Sequence, residues 1–230
     1  ISLVALVLPS CLSLIFLRSI ADEIYVPKTS VKFSILSIFN PKLFLTPFQV
    51  LKRIPNLATI TFVSIGFAAV QGSLFTFFTT YLTDALGFSL GLAGSLYAAV
   101  QLSSFFGRII VGFAADFIGS TRALLVVLGG CSPVGLVILY SLHVDDSLLV
   151  LFVKCSLIGS MIASWNGLFL AEVTRIAGSG DVGESTAAST FFTFLSFMVA
   201  PLVFGFVSFY FSYYYAFAFM GCLVILSALF

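Results

Sequence analysis

Charge is what this chain has least of. Lysine, arginine, aspartate and glutamate make up 8% of its 230 residues, against roughly 25% in a soluble domain. So few charges cannot coat a globule in water, and the implied solvent is lipid. Ten bases against nine acids leave a formal net charge of +1, with no basic face on which a nucleic acid could dock. The four cysteines, Cys11, Cys131, Cys155 and Cys222, stand singly in apolar runs without CxxC spacing, which argues against metal or redox chemistry. The lone histidine, His143, lies beside Asp145 and Asp146 in a short polar stretch that reads as a solvated loop. No phosphate-binding glycine loop is present, nor any Ser, His and Asp set from which a nucleophile could be built. The sequence therefore reads as a non-enzyme without a cofactor.

What the chain has in abundance is apolar runs. A helix crosses ~30 Å of hydrocarbon with about 20 residues. Runs of that kind lie at about 1–19, 57–82, 90–112, 123–142, 148–171, 185–208 and 211–230. They are continuous rather than alternating, and too long for the strands of a membrane barrel. The fold expected is an all-α membrane protein: six full transmembrane helices over 57–230, preceded by the end of another at 1–19. Residue 1 is not methionine, and the chain stops inside the run "VILSALF". It reads as a fragment.

Charge placement orients the spans. Arg18, Lys28, Lys32, Lys42, Lys52 and Arg53 fall in the polar segment 18–56, Arg108 and Arg122 bracket a later loop, and Arg175 lies in the next loop on that side. The alternate loops hold Asp84, Asp145 and Asp146 without lysine or arginine. By the positive-inside rule the basic segments face the cytoplasm. The expectation is a multi-pass protein of the plasma or inner membrane, with the linker 20–56 and the loops near 113–122 and 172–184 cytoplasmic. Pro27, Pro41, Pro47 and Pro55 exclude one long helix from the linker. Its mix of apolar and basic residues suits a segment lying at the membrane surface.

One stretch spends charge inside this scarcity: "GRIIVGFAADFIGSTR", 107–122. It reads Gly112-x-x-x-Asp116-x-x-Gly119-x-x-Arg122. The glycines allow close approach and a tight turn. An aspartate at the membrane surface can hold a neighbouring helix N-terminus, and Arg108 and Arg122 can pair with it or with phosphates. Such a cluster can latch helical bundles in one arrangement and release them in another.

This stretch resembles the loop signature of the major facilitator superfamily, in the copy between that family's eighth and ninth helices. It departs at Phe117, Ser120 and Thr121, where bases are common. The stretches "WNGLFLAEVTR", 165–175, and "FFTFLSFMVAPLVFG", 191–205, are similar to the tenth and eleventh helices of bacterial members. The resemblance implies the C-terminal half of a transporter working by alternating access. Its implied partners are a small-molecule substrate, the lipid bilayer, the N-terminal half of the same chain, and a coupling ion such as a proton. The alternative is a non-transporting membrane receptor or scaffold on the same fold.

Polar residues inside spans usually face a bundle interior or a cavity. At about 100° per residue, Tyr97, Gln101, Ser104 and Arg108 share one stripe, and Ser64, Phe67, Gln71, Phe75 and Phe78 share another. The next such face carries Lys154, Met161, Trp165, Leu168 and Glu172, while Gly159, Ala163 and Asn166 form a small-residue side suited to close packing. The expected substrate contacts are Gln71, Tyr97, Gln101, Lys154, Trp165 and Asn166. Hydrogen bonding of each glutamine to a neighbouring helix, packing of Trp165 and Asn166, and snorkelling of Lys154 are the structural alternatives. The expected gating residues are Arg108, Gly112, Asp116, Gly119, Arg122, Glu172 and Arg175. Lys154 is the one base out of place under the positive-inside pattern. With Asp145 and Asp146 two turns or more away, it points to an organic anion as the small organic solute carried.

Overall fold

The computed structural model describes residues 42–229; the expected end of a preceding helix at 1–19, and the linker as far as 41, lie outside the described residues. Helix α1 is Lys42–Arg53. The following helices are α2, Leu57–Thr80, continued by a π-helical turn at Tyr81–Ala85, α3, Leu90–Ile118, and α4, Thr121–Tyr140. They are completed by α5, Leu148–Ala163, α6, Asn166–Tyr210, and α7, Tyr213–Ala228. Among the described residues there is no strand.

The six apolar runs all fold as helical segments. Five are long enough by length and composition to cross a membrane: Leu57–Ala85, Leu90–Ile118, Thr121–Tyr140, Leu148–Gly178 and Gly180–Tyr210, with the shorter apolar Tyr213–Ala228 as the sixth. The helices overrun the apolar stretches at the ends rich in charge. The α3 helix continues past Gly112 through Asp116, and the fourth span continues past 171 through Glu172 and Arg175. A helix does not stop where the hydrocarbon does; it stops where a cap is supplied.

Those caps are legible side chains. The hydroxyls of Ser89, Ser120 and Ser147 accept the N–H of Leu92, Ala123 and Val150 at the starts of α3, α4 and α5, satisfying donors that the first turn leaves orphaned. Gly119 ends α3 in the left-handed region at φ 71°, donating its N–H to the Ala115 carbonyl, which glycine adopts without a Cβ penalty. Gly178 divides α6 at φ 67°, ψ 178°, a conformation essentially reserved to glycine. The fourth and fifth spans meet there.

Helix α2 packs against the second arm of α6 and against α7, while α5 packs against α3 and α4. Water-driven burial does not hold helices together in lipid; close packing and interhelical hydrogen bonds do. A Cβ on Gly159 of α5 would collide with the Val100 carbonyl of α3, and one on Gly107 with the Ser164 hydroxyl. Between α2 and α6, the Thr61 hydroxyl donates to Ser189 at 2.9 Å, the hydroxyls of Ser64 and Thr193 meet at 2.7 Å, and Ser196 donates to the Ile65 carbonyl at 2.8 Å.

The amphipathic α1 buries Val50, with Ile54 buried just beyond its end, sets Phe48 edge-on to Phe192 at 4.9 Å, and is clamped to the start of the fifth span by Arg53, whose Nη2 reaches Asp181 at 2.8 Å and Glu184 at 2.6 Å.

Candidate functional site

The fourth span is broken in the middle of its length. Helix α5 ends at Ala163 and α6 begins at Asn166, with Ser164 and Trp165 between them. Trp165, only 3% exposed, stacks on Phe67 with ring centres 5.3 Å apart and planes at 17°. Its indole Nε1 donates to the Gln71 side-chain oxygen at 2.8 Å. Two residues read from sequence as separate substrate contacts are thus each other's partner, and Gln71 is only 4% exposed. The pair braces α2 against the break.

Tyr97 and Gln101 of α3 remain half-exposed. The Gln101 amide donates to the Tyr97 hydroxyl at 3.1 Å, and the Tyr97 ring lies 6.1 Å from both Phe75 and Phe78. At the break, the Ser164 hydroxyl and the Asn166 side-chain oxygen are buried without a hydrogen-bond partner. Buried polar atoms left unpaired are uncommon and costly.

Lys154 corrects the sequence reading of its surroundings. Its Nζ donates to Asp146 Oδ2 at 2.7 Å and to the Ser141 carbonyl at 2.5 Å, so the carboxylate judged too distant is its partner. Side chains on a helix lean toward its N-terminus, and the lysine stem spans the two turns back to the loop. The loop in turn holds Asp146 in place, because the His143 N–H donates to it at 3.1 Å. Lysine and backbone donors together hold the Asp146 carboxyl below the ordinary carboxylate range. That loop is therefore built around an ion pair, with Asp145 left exposed.

At the other end, Glu172 is fully enclosed, at 0% exposure. It accepts a short hydrogen bond from the Thr121 hydroxyl, one from Arg122 Nε at 2.5 Å, and two from Arg175, through Nε at 2.8 Å and Nη2 at 2.5 Å. The sequence pairing of Glu172 with Arg175 is present, but Arg122 joins this hub instead of Asp116. The first turn of α4 abuts α6 here, bringing both Thr121 and Arg122 within reach of one carboxylate. Thr121 was missed as a contributor because the family signature favours a base at its position. A short side chain beside a helix start was the only available signal.

Asp116 is exposed and has no hydrogen bond or ion pair among the described residues. It lines a cleft of about 350 Å³ with Gly119, Ser120, Thr121 and Arg175. A Cβ on Gly112 would meet nothing within 4 Å, so this glycine mediates no close approach within the bundle. Gly119 makes the expected turn. Arg108 makes no contact with Asp116 among the described residues: its Nε donates to the Ala163 carbonyl at 3.2 Å, which the break removes from the helical ladder.

The family model of the Major Facilitator Superfamily matches residues 1–195 of the chain. No curated protein matches it.

Proposed function

Because the chain belongs to the major facilitator superfamily, a family of membrane transporters, we propose that it carries a small organic solute across the membrane by alternating access, in secondary active or facilitative transport. The observation that carries this reading is the division of labour at the basic ends of the helices. Glu172 binds α4 to α6 through Thr121 and Arg122 and fixes the turn between α3 and α4. That turn presents Asp116 as an unneutralised charge at an open cleft. A carboxylate in that state is available for a contact that forms in one arrangement and breaks in another. Glu172 is not the moving part: Arg175, three residues along the same helix, stays with it whatever α4 does. In this reading the basic ends face the cytoplasm, Asp116 is the latch, and Glu172 with Arg122 and Arg175 is its anchor. Gly119 makes the turn that follows Asp116.

The path for the solute follows the half-exposed face of α3 carrying Tyr97 and Gln101, with the break at Ser164 to Asn166 beside it. Gln71 and Trp165 act from behind as a brace that sets the position of the break. Lys154 is already neutralised by Asp146, so it carries no argument for the charge of the cargo.

The test is solute flux by full-length protein in proteoliposomes, with and without a pH gradient. Asp116→Asn keeps volume and removes charge. A contact of this kind, at about 1.5–3 kcal/mol for hydrogen bonds to charged groups, shifts a two-state balance by roughly tenfold or more. Transport is expected to fall at normal membrane insertion. Wild-type rates in this variant would reduce the motif to a tight turn.

A further inference from the structure

Resting on the carrier reading, we infer that Arg108 is the binding residue for the anionic group of the cargo, and that the cargo is a small organic carboxylate. Every other base on the membrane-crossing helices for which the structure gives a charged contact is matched to an acid: Lys154 to Asp146, and Arg122 and Arg175 to Glu172. Arg108 has no carboxylate among the described residues. Its side chain makes a single hydrogen bond there, from Nε to the Ala163 carbonyl at 3.2 Å.

The depth of that anchor matters. Ala163 lies halfway along the span Leu148–Gly178, about 22 Å from the start of α5 at ~1.5 Å per residue, and so within the ~30 Å hydrocarbon layer. Arg108 is nonetheless exposed on the bundle. Charged side chains on membrane-crossing helices usually face water-filled cavities or partners and mark substrate pathways. Tyr97 and Gln101 fall within about 40° of Arg108 on the same helix, at 100° per residue. One face of α3 is thereby identified as lining an aqueous path.

The geometry also selects the ligand. The Ala163 contact uses Nε and fixes the guanidinium plane, leaving both Nη groups as a preset fork for the two oxygens of a carboxylate. Beside it stand groups that lack a partner. The Ser164 hydroxyl, in a residue 1% exposed, packs on Gly107, the neighbour of Arg108, without a hydrogen bond, and the Asn166 side-chain oxygen is likewise unpartnered. A hydroxyl can donate to an anion, so a carboxylate held by Arg108 gives Ser164 its missing acceptor. A lipid phosphate shares this oxyanion chemistry. A free solute fits better, because the polar face continues along α3 through Gln101 to Tyr97, away from the headgroups on the Arg122 side.

The test uses detergent-purified full-length protein and a defined panel: acetate, lactate, succinate, citrate and benzoate, each paired with its neutral amide. Thermal shift is read with wild type, Arg108→Gln and Arg108→Lys, with circular dichroism as a folding control. At least one carboxylate is expected to raise Tm while its amide does not. Its apparent Kd should rise about tenfold or more in Arg108→Gln, with partial retention in Arg108→Lys. The inference is overturned if no carboxylate binds, if binding is unchanged in Arg108→Gln, or if the Arg108-dependent shift appears only with phosphatidylglycerol vesicles. It is also overturned if neutral or cationic solutes are transported at rates that Arg108→Gln leaves alone, an outcome in which the carrier reading survives. Carboxylate binding without flux of any solute would instead sink the carrier reading and keep the site.

Discussion

The two ion-paired sites at opposite ends of the bundle make different predictions because their environments differ. Glu172 is wholly enclosed while its bases Arg122 and Arg175 are more than half exposed. Glu172→Gln retains shape but leaves both guanidiniums without a charge to meet; with hydrogen bonds to charged groups worth about 1.5–3 kcal/mol, it should lower Tm in detergent by several degrees. Thr121→Val, which loses a single hydroxyl donor, should lower it less. An equal Tm for wild type and Glu172→Gln would show the hub to be incidental. The Asp146 and Lys154 pair is read by pH. Its carboxyl is held below the ordinary range, so its contribution is fully present above the unfolded-state carboxylate pKa and is lost as pH falls through the lower folded value. A Tm difference between wild type and Asp146→Asn should therefore exist at neutral pH and close on acidification. If it is the same at all pH values, the carboxylate is not charged in its role. Lys154→Gln should reduce stability and leave transport kinetics unchanged, the reverse of what its isolated position in the sequence suggests.

Residue types were legible in the sequence, and pairings were not. That Gln71, Trp165, Glu172 and Lys154 were polar or amphipathic groups spent inside spans was plain from composition. Which of them meet depends on how α2, α4 and α6 approach one another, and stripes on single helices carry no information about that. Trp165 and Gln71 lie 94 residues apart, and Thr121 and Glu172 lie 51 apart.

Among the helices, small residues separate into those that permit packing and those that do not. Gly159 sits against the Val100 carbonyl, so Gly159→Ala forces α3 and α5 apart and should destabilise by about 1–3 kcal/mol, the usual scale of overpacking. Gly112 faces open space, so Gly112→Ala should be neutral or stabilising by up to about 1 kcal/mol, as glycine is a poor helix former. Thermal denaturation of the two variants side by side decides this; equal losses would mean that the helix crossing is not where it is placed. The loop signature drew attention to Gly112, but the close approach belongs to Gly159, whose small-residue side was visible in the sequence. Span positions were legible because hydrocarbon thickness fixes the length of an apolar run. The break at Ser164 and Trp165 was not, since "ASWNG" fits an unbroken helical stripe and contains no proline. The hydroxyls of Ser189, Thr193 and Ser196 join α6 to α2.

For the whole molecule, the arrangement is a membrane bundle with the Lys154 ion pair at the end opposite the basic one. Its basic end carries the Glu172 anchor and the exposed Asp116, and a half-exposed polar face on α3 lies between them. The α1 clamp adds an electrostatic tie at the basic end: Arg53→Ala should weaken docking of α1, and the effect should diminish with salt because Arg53, Asp181 and Glu184 are exposed. Limited proteolysis of α1 at low and high ionic strength reads this directly, and equal cleavage of wild type and variant at low salt would dismiss the clamp.

A carrier working by alternating access exchanges its solute across the membrane, and counterflow reads that exchange. Full-length protein in proteoliposomes preloaded with an unlabelled carboxylate that shifts its Tm should take up the same labelled solute transiently above equilibrium without an imposed gradient. The accumulation should fall about tenfold in Asp116→Asn, in line with a population shift of that size. A protein that binds the solute and inserts normally but shows no saturable flux or counterflow contradicts the account.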